Sequence, residues 1–130
     1  MNRNFLSVAA LLGALSVALG AFAAHKLRNI ANADTVAIFE TGVRYQFYHT
    51  FALFIVAFLA EKINNKWMIW AGNCFITGII LFCGSLYALT ALTIAVSTHR
   101  TVAGVATPIG GIFFILGWIS LYIGITKKEK

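Results

Sequence analysis

FLSVAALLGALSVALGAFAA, residues Phe5 to Ala24, is a run of twenty residues without a charged side chain, and its reading decides the fold. A hydrocarbon core about 30 Å thick needs roughly twenty apolar residues at about 1.5 Å rise each. In lipid the backbone must satisfy its own hydrogen bonds, which a helix does within one segment. Three further apolar stretches follow, over Phe47–Ala60, Trp67–Leu92 and Pro108–Ile125. Phe47–Ala60 is too short to span alone, so it must borrow from the preceding polar segment, from about Thr41. The chain therefore predicts one all-α integral membrane domain over residues 1–130: a compact four-transmembrane-helix bundle with spans at about 5–24, 41–60, 67–92 and 108–125.

Composition agrees. Hydrophobic residues make up 60% of the chain and charged ones 11%, against roughly 25% charged in soluble domains. Mean hydropathy is +0.85 and the pI about 9.7. In a soluble protein a net charge of +6 would suggest nucleic acid. Here the basic residues sit between and beyond apolar spans, where they act as topology signals and anchors to anionic lipid. The expected partner is the lipid bilayer, and nucleic acid is not expected. Cys74 and Cys83 fall on one helix about half a turn and 13.5 Å apart, too far to pair with each other.

The ends of the spans carry the polar residues. A basic start, an apolar run and Ala21-Phe22-Ala23 resemble a secretory signal with an A-x-A cleavage site. The run exceeds a signal core, and Ala9, Gly13, Ser16, Gly20 and Ala24 supply small residues at helix-packing intervals, so retention is predicted. Ile30–Tyr45 reads as an amphipathic helix leading into the second span, with Asn32 or Asp34 as N-cap and Glu40 one turn before Arg44, the favourable order for an ion pair. Trp67 and Trp70 suit a membrane interface. Thr107-Pro108 reads as the start of the fourth helix, with proline at its first position.

Small residues recur every seven positions: Gly13 and Gly20; Ala71, Gly78 and Ser85; Gly110, Gly117 and Gly124. Such series let helix backbones approach closely in lipid. They predict a tight bundle, packed within one chain or, through one of these faces, against a second copy or another membrane protein.

With four alternating spans, the connections after the first and third lie at the same end. His25, Glu40, Arg44, Tyr45, Gln46, His49, Ser85, Tyr87 and Thr107 then gather near it as a candidate polar site. Ionisable groups inside a span are costly and suggest function by default. The competing reading is an internal network, with Arg44 paired to Glu40 in an enclosed site and His49 bonded to a hydroxyl of the third span. His25, His49 and His99 lack HExxH or CxxCH spacing, so no metal or haem is expected. Gly110 and Gly111 could offer N–H groups to an anion, but serve packing equally well. The acidic residues are four, Asp34, Glu40, Glu61 and Glu129, and no catalytic constellation is visible, so an enzyme is not expected and no cofactor is implied.

GAFAAHKL (Gly20–Leu27), ETGVRYQFYHTFAL (Glu40–Leu53), GSLYAL (Gly84–Leu89) and TPIGGIFFILGW (Thr107–Trp118) together resemble domain-of-unknown-function family 423, itself similar to the transmembrane protein 256 group. The resemblance implies an uncleaved four-helix protein of the bacterial cytoplasmic membrane, with no established reaction, substrate or cofactor. The function expected is a structural or interaction-based support of the membrane. The alternative is a small, proton-linked transporter or a ligand-binding module.

Orientation follows from Lys and Arg. The end with both termini holds Arg3, Lys62, Lys66, Lys127, Lys128 and Lys130, six against the four at the other end, Lys26, Arg28, Arg44 and Arg100. The excess places both termini in the cytoplasm. A reporter fused after Lys130 is expected to read cytoplasmic and one inserted beside Arg100 to read exterior. The reversed pattern would invert the orientation, and matching locations would refute four spans.

Overall fold

A computed structural model describes residues 2–95 and 100–127, with the side chains of 100–103 excepted. It comprises four long helices: α1 (Arg3–Ile30), α2 (Ala33–Lys62), α3 (Lys66–Ile94) and α4 (Arg100–Thr126). Each contains a segment long and apolar enough to cross a membrane. α2 packs against both α1 and α3, and α4 packs against α3 most extensively of all. No strand occurs among the described residues.

The helix limits have local causes. Asn2 caps α1 by accepting from the Phe5 N–H, and Asn32 caps α2 by accepting from the Thr35 N–H at 2.8 Å. Of the two caps considered for α2, Asn32 takes the position and Asp34 falls in the first turn. The chain reverses between α1 and α2 through extended Ala31 and Asn32. α1 runs past the apolar stretch because Ala23–Leu27 forms a π turn, which keeps Ala23 and Leu27 both buried against Val36 and Phe39. His25, Lys26 and Arg28, expected to bound the first span, are thus part of α1 and exposed. A second π turn, Ile79–Cys83, interrupts α3.

The Thr107-Pro108 helix start is corrected by the structure. α4 begins at Arg100 and carries Pro108 in its interior. The missing proline N–H deprives the Gly104 carbonyl of its usual donor. Membrane helices tolerate this where hydroxyls and neighbouring helices secure the segment, and here the Thr107 hydroxyl is hydrogen-bonded to that of Ser85 on α3.

The seven-residue glycine series are consumed largely between α3 and α4, where small residues on one helix face large ones on the other in antiparallel register. Gly124 lies against Met68, Gly117 against Phe75, Gly78 against Phe114 and Gly110 against Phe82. Each step along α4 is matched by an equal step back along α3, so one register satisfies every pair. Ala71 is fully buried in the same core. Gly13 and Gly20 face Thr50 and Val43 of α2 at ordinary contact distances, 3.8 and 3.7 Å from where a Cβ would stand. Phe5 fills the space beside Gly72, tying α1 to α3.

The end with the N-terminus is closed by polar backbone contacts. The Asn2 N–H donates to the Ala57 carbonyl at 3.1 Å, and Asn65 Nδ2 donates to the Gly124 carbonyl at 3.0 Å while its Oδ1 caps α3. Cys74 and Cys83 are both free and buried.

Gly110 and Gly13 separate two kinds of glycine. A Cβ at Gly110 would strike the Phe82 backbone N and Cα, which cannot move without shifting α3. Gly110→Ala is expected to cost about 1–3 kcal/mol through overpacking. Gly13→Ala meets only a methyl at ordinary contact distance and should be neutral or mildly stabilising, alanine being the better helix former. Thermal unfolding in detergent reads both, and equal losses would show that the register does not depend on Gly110.

Candidate functional site

Gln46 is the centre of the polar end. It is 1% exposed, held on α2 where it faces α1 and α3. Its Nε2 donates to Ser16 Oγ at 3.0 Å and to the Leu12 carbonyl at 3.3 Å, both on α1. Its Oε1 accepts from the Tyr87 hydroxyl of α3 at 2.8 Å. A carbonyl can only accept, so the Leu12 contact fixes which end of the amide is nitrogen. Ser16 in turn donates to the Leu12 carbonyl at 2.8 Å. One amide therefore joins three helices, and the donors run in one direction from Tyr87 to Leu12.

Gly42 makes this possible. A Cβ there would stand 2.8 Å from Tyr87 Cε1, so only glycine lets the tyrosine ring cross α2 to reach Gln46. The ring also lies against Phe39, with centroids 4.9 Å apart.

His49, one turn from Gln46, forms a second polar node. Its Nδ1 lies 2.7 Å from the Tyr45 carbonyl and its Nε2 3.3 Å from the Trp118 indole nitrogen. The carbonyl requires Nδ1 to carry the proton, and the indole N–H requires Nε2 to offer its lone pair. Both partners are met by the neutral imidazole alone. The ring stacks on Phe114 at 3.5 Å with a 7° angle between planes. The expected hydroxyl of the third span is thus replaced by an indole of the fourth, because the α3–α4 register places Phe114 and Trp118 beside α2.

The charged residues depart further from expectation. Glu40 does not pair with Arg44; it accepts from Arg28 at 3.1 Å, across the α1–α2 turn. The π turn in α1 and its short extension bring Arg28 to Glu40, whereas Arg44 has no ion-pair partner among the described residues. Arg44 is exposed, and so is Tyr48 at 55%. The segment is therefore not enclosed by other helices: Gln46, His49 and Thr50 turn inward, and Arg44 and Tyr48 turn outward. Arg44 stands about 27 Å along α2 from Lys62 at 1.5 Å per residue. That places it near the far membrane boundary, where a long basic side chain reaches the headgroups.

The nine candidate residues thus divide. Gln46 and Tyr87 share one network, His49 belongs to an aromatic stack, and Ser85 bonds Thr107 and the Phe82 carbonyl at the α3–α4 seam. Tyr45 lies on Phe82 with centroids 4.8 Å apart. Glu40 and Arg44 line an outward groove of about 530 Å³ with Gly20, Val43, Phe47 and Tyr48. His25 is exposed on α1, and His99 lies outside the described residues. Sequence reading missed Ser16 and Trp118 as polar partners; the first was read only as a small packing residue. No group of three His, Cys, Asp or Glu side chains that could hold a metal comes together among the described residues.

Four long apolar helices with polar groups paired across their interior define a polytopic, all-helical membrane protein. The chain matches the family described as Protein of unknown function (DUF423) over residues 19–111, and it belongs to that family. It is similar to a UPF0382 membrane protein of Haemophilus influenzae, 41% identical over 100% of this chain and 99% of the relative. It is 38% identical to the UPF0382 membrane protein YwdK of Bacillus subtilis over 96% of this chain and 98% of that one. The UPF0382 inner membrane protein YgdD of Escherichia coli K12 is 33% identical, with 99% and 94% covered. No solved structure matches.

Removing Gln46 leaves Tyr87 and Ser16 without their shared partner. Gln46→Leu is expected to cost about 1–3 kcal/mol in detergent. Arg44→Ala, outward and unpaired with Glu40, should cost under about 1 kcal/mol, as should breaking the exposed Arg28–Glu40 pair. Thermal unfolding of the three variants ranks them, and a larger loss from Arg44→Ala than from Gln46→Leu would overturn this assignment.

Proposed function

We propose that the protein acts without catalysis, as a structural or interaction element of the bacterial cytoplasmic membrane with both termini in the cytoplasm. The observation that carries this reading is that Gln46 and His49, the inward polar groups of α2, are engaged by partners within the bundle. Gln46 uses its donors and its acceptor on Ser16, Leu12 and Tyr87. His49 uses both ring nitrogens on Tyr45 and Trp118. Groups so engaged hold helices together; a general acid or base would need a free proton site facing a substrate. Fully buried Phe75, Leu53, Met68 and Val56 fill the space between the helices.

A second reading, a ligand-binding or transport module, is favoured by the groove along α1 and α2 where Arg44 and Glu40 stand together. Its binding chemistry would rest on Arg44, whose guanidinium offers five donors to an anion.

The two readings separate in a bacterium from which the gene has been deleted. The structural reading expects raised envelope permeability and stress, restored by wild type and by Arg44→Ala but not by Gln46→Leu. An intact envelope with loss of one solute flux, matched by uptake into proteoliposomes that Arg44→Ala abolishes, would replace it with the second.

A further inference from the structure

Asn73 stands in the wrong solvent. It lies on α3 about 10 Å along the helix from Lys66, within a segment apolar enough to span a membrane, and its side chain is exposed on the outside of the bundle. Neither Asn73 nor Thr77, one turn further on the same face, makes a side-chain hydrogen bond among the described residues. By contrast Ser16, Thr50, Thr90, Thr93 and Thr126 all bond back to their own helix. An amide left unpaired in lipid loses several hydrogen bonds that water would supply.

The surroundings of Asn73 form a continuous outward face. Trp70 is 62% exposed and Ile80 65%, and Gly84 has nothing within 4 Å of where its Cβ would stand. Gly84 is thus unlike the glycines of the α3–α4 seam, which are spent on contacts inside the chain. Trp70, Asn73 and Thr77 follow one another at three- and four-residue intervals, the spacing of neighbours on one face of a helix, in the regular part of α3 before its π turn.

We propose that the protein pairs with a second copy of itself through this face of α3, about a two-fold axis along the membrane normal, with the Asn73 amides hydrogen-bonded to each other. The occupant follows from symmetry. Copies inserted with the same topology carry Asn73 at the same depth, so a two-fold pair brings each residue of the face opposite its own counterpart. An amide holds both donor and acceptor and is therefore its own complement. One polar residue in such a seam also fixes its register. This inference goes beyond the structural role proposed above, and its failure would leave the deletion phenotype of that reading untouched.

The test is self-association of the full chain in liposomes, read by energy transfer between separately labelled copies as protein density is varied. Asn73→Leu is expected to weaken pairing about fivefold to thirtyfold, and Asn73→Gln, which keeps the amide, by less. Because the Asn73 side chain makes no hydrogen bond among the described residues, both variants should melt in detergent like wild type. In parallel, oxidation should cross-link Thr77→Cys and not Leu11→Cys, which lies on the exposed side of α1. That comparison is made with Asn73 intact and stands if the Asn73 variants fail to fold. A wild type that stays monomeric at every density, pairing untouched by Asn73→Leu, or cross-linking through Leu11→Cys instead would overturn the proposal. So would a monomer holding a phospholipid that Asn73→Leu releases, which would assign the face to lipid.

Discussion

Lipid removes the usual reason for helices to associate. An apolar side chain gains little by leaving hydrocarbon for a protein interior, so this bundle depends on contacts that lipid cannot copy. Two kinds supply them. Glycine against a large side chain lets the α3 and α4 backbones approach over their whole shared length, as at Gly110 and Phe82. A buried amide, Gln46, offers hydrogen bonds that acyl chains lack. The remaining features are placed by these two. Phe114 and Trp118 reach His49 only because the glycine register sets their height, and Tyr87 reaches Gln46 only because Gly42 leaves room.

The polar end of the bundle is consequently two layers with different chemistry. Inward, Gln46 and His49 are each matched by named partners and behave as struts. Outward, Arg44, Tyr48 and the Arg28–Glu40 pair meet the interface, where water and headgroups share the work and individual contacts contribute little. An arginine one turn before a tyrosine on a membrane helix invites a functional reading, but the neutral Gln46 beside it makes the contacts that cross between helices. Charge was the misleading signal and hydrogen-bond capacity the informative one.

How much could be read beforehand differs between parts of the chain. Four helices, their antiparallel order and the shared end of the termini follow from span length and alternation, which are one-dimensional properties. The family followed from four ordered motifs. The Glu40–Arg44 pairing did not hold, because helical spacing states which residues can meet within α2 and nothing of Arg28, which the α1–α2 turn delivers from outside it. Pro108 misled for a related reason: a proline marks a helix start in water, while in a bundle the Thr107–Ser85 hydroxyl pair secures a helix that runs through it.

Sequence by itself determined that this chain crosses a membrane as four helices, since the hydrocarbon thickness and the backbone's need for internal hydrogen bonds leave no other use for runs such as Phe5–Ala24. It also contained the small residues at sevenfold intervals. Tertiary structure alone decided which partner each series met, that Gly110 opposes Phe82 while Gly84 opposes no described residue, and that Asn73 faces outward. The physical reason is that periodicity assigns residues to a face, whereas the direction of that face is set by the neighbouring helices that cover it or leave it to the lipid.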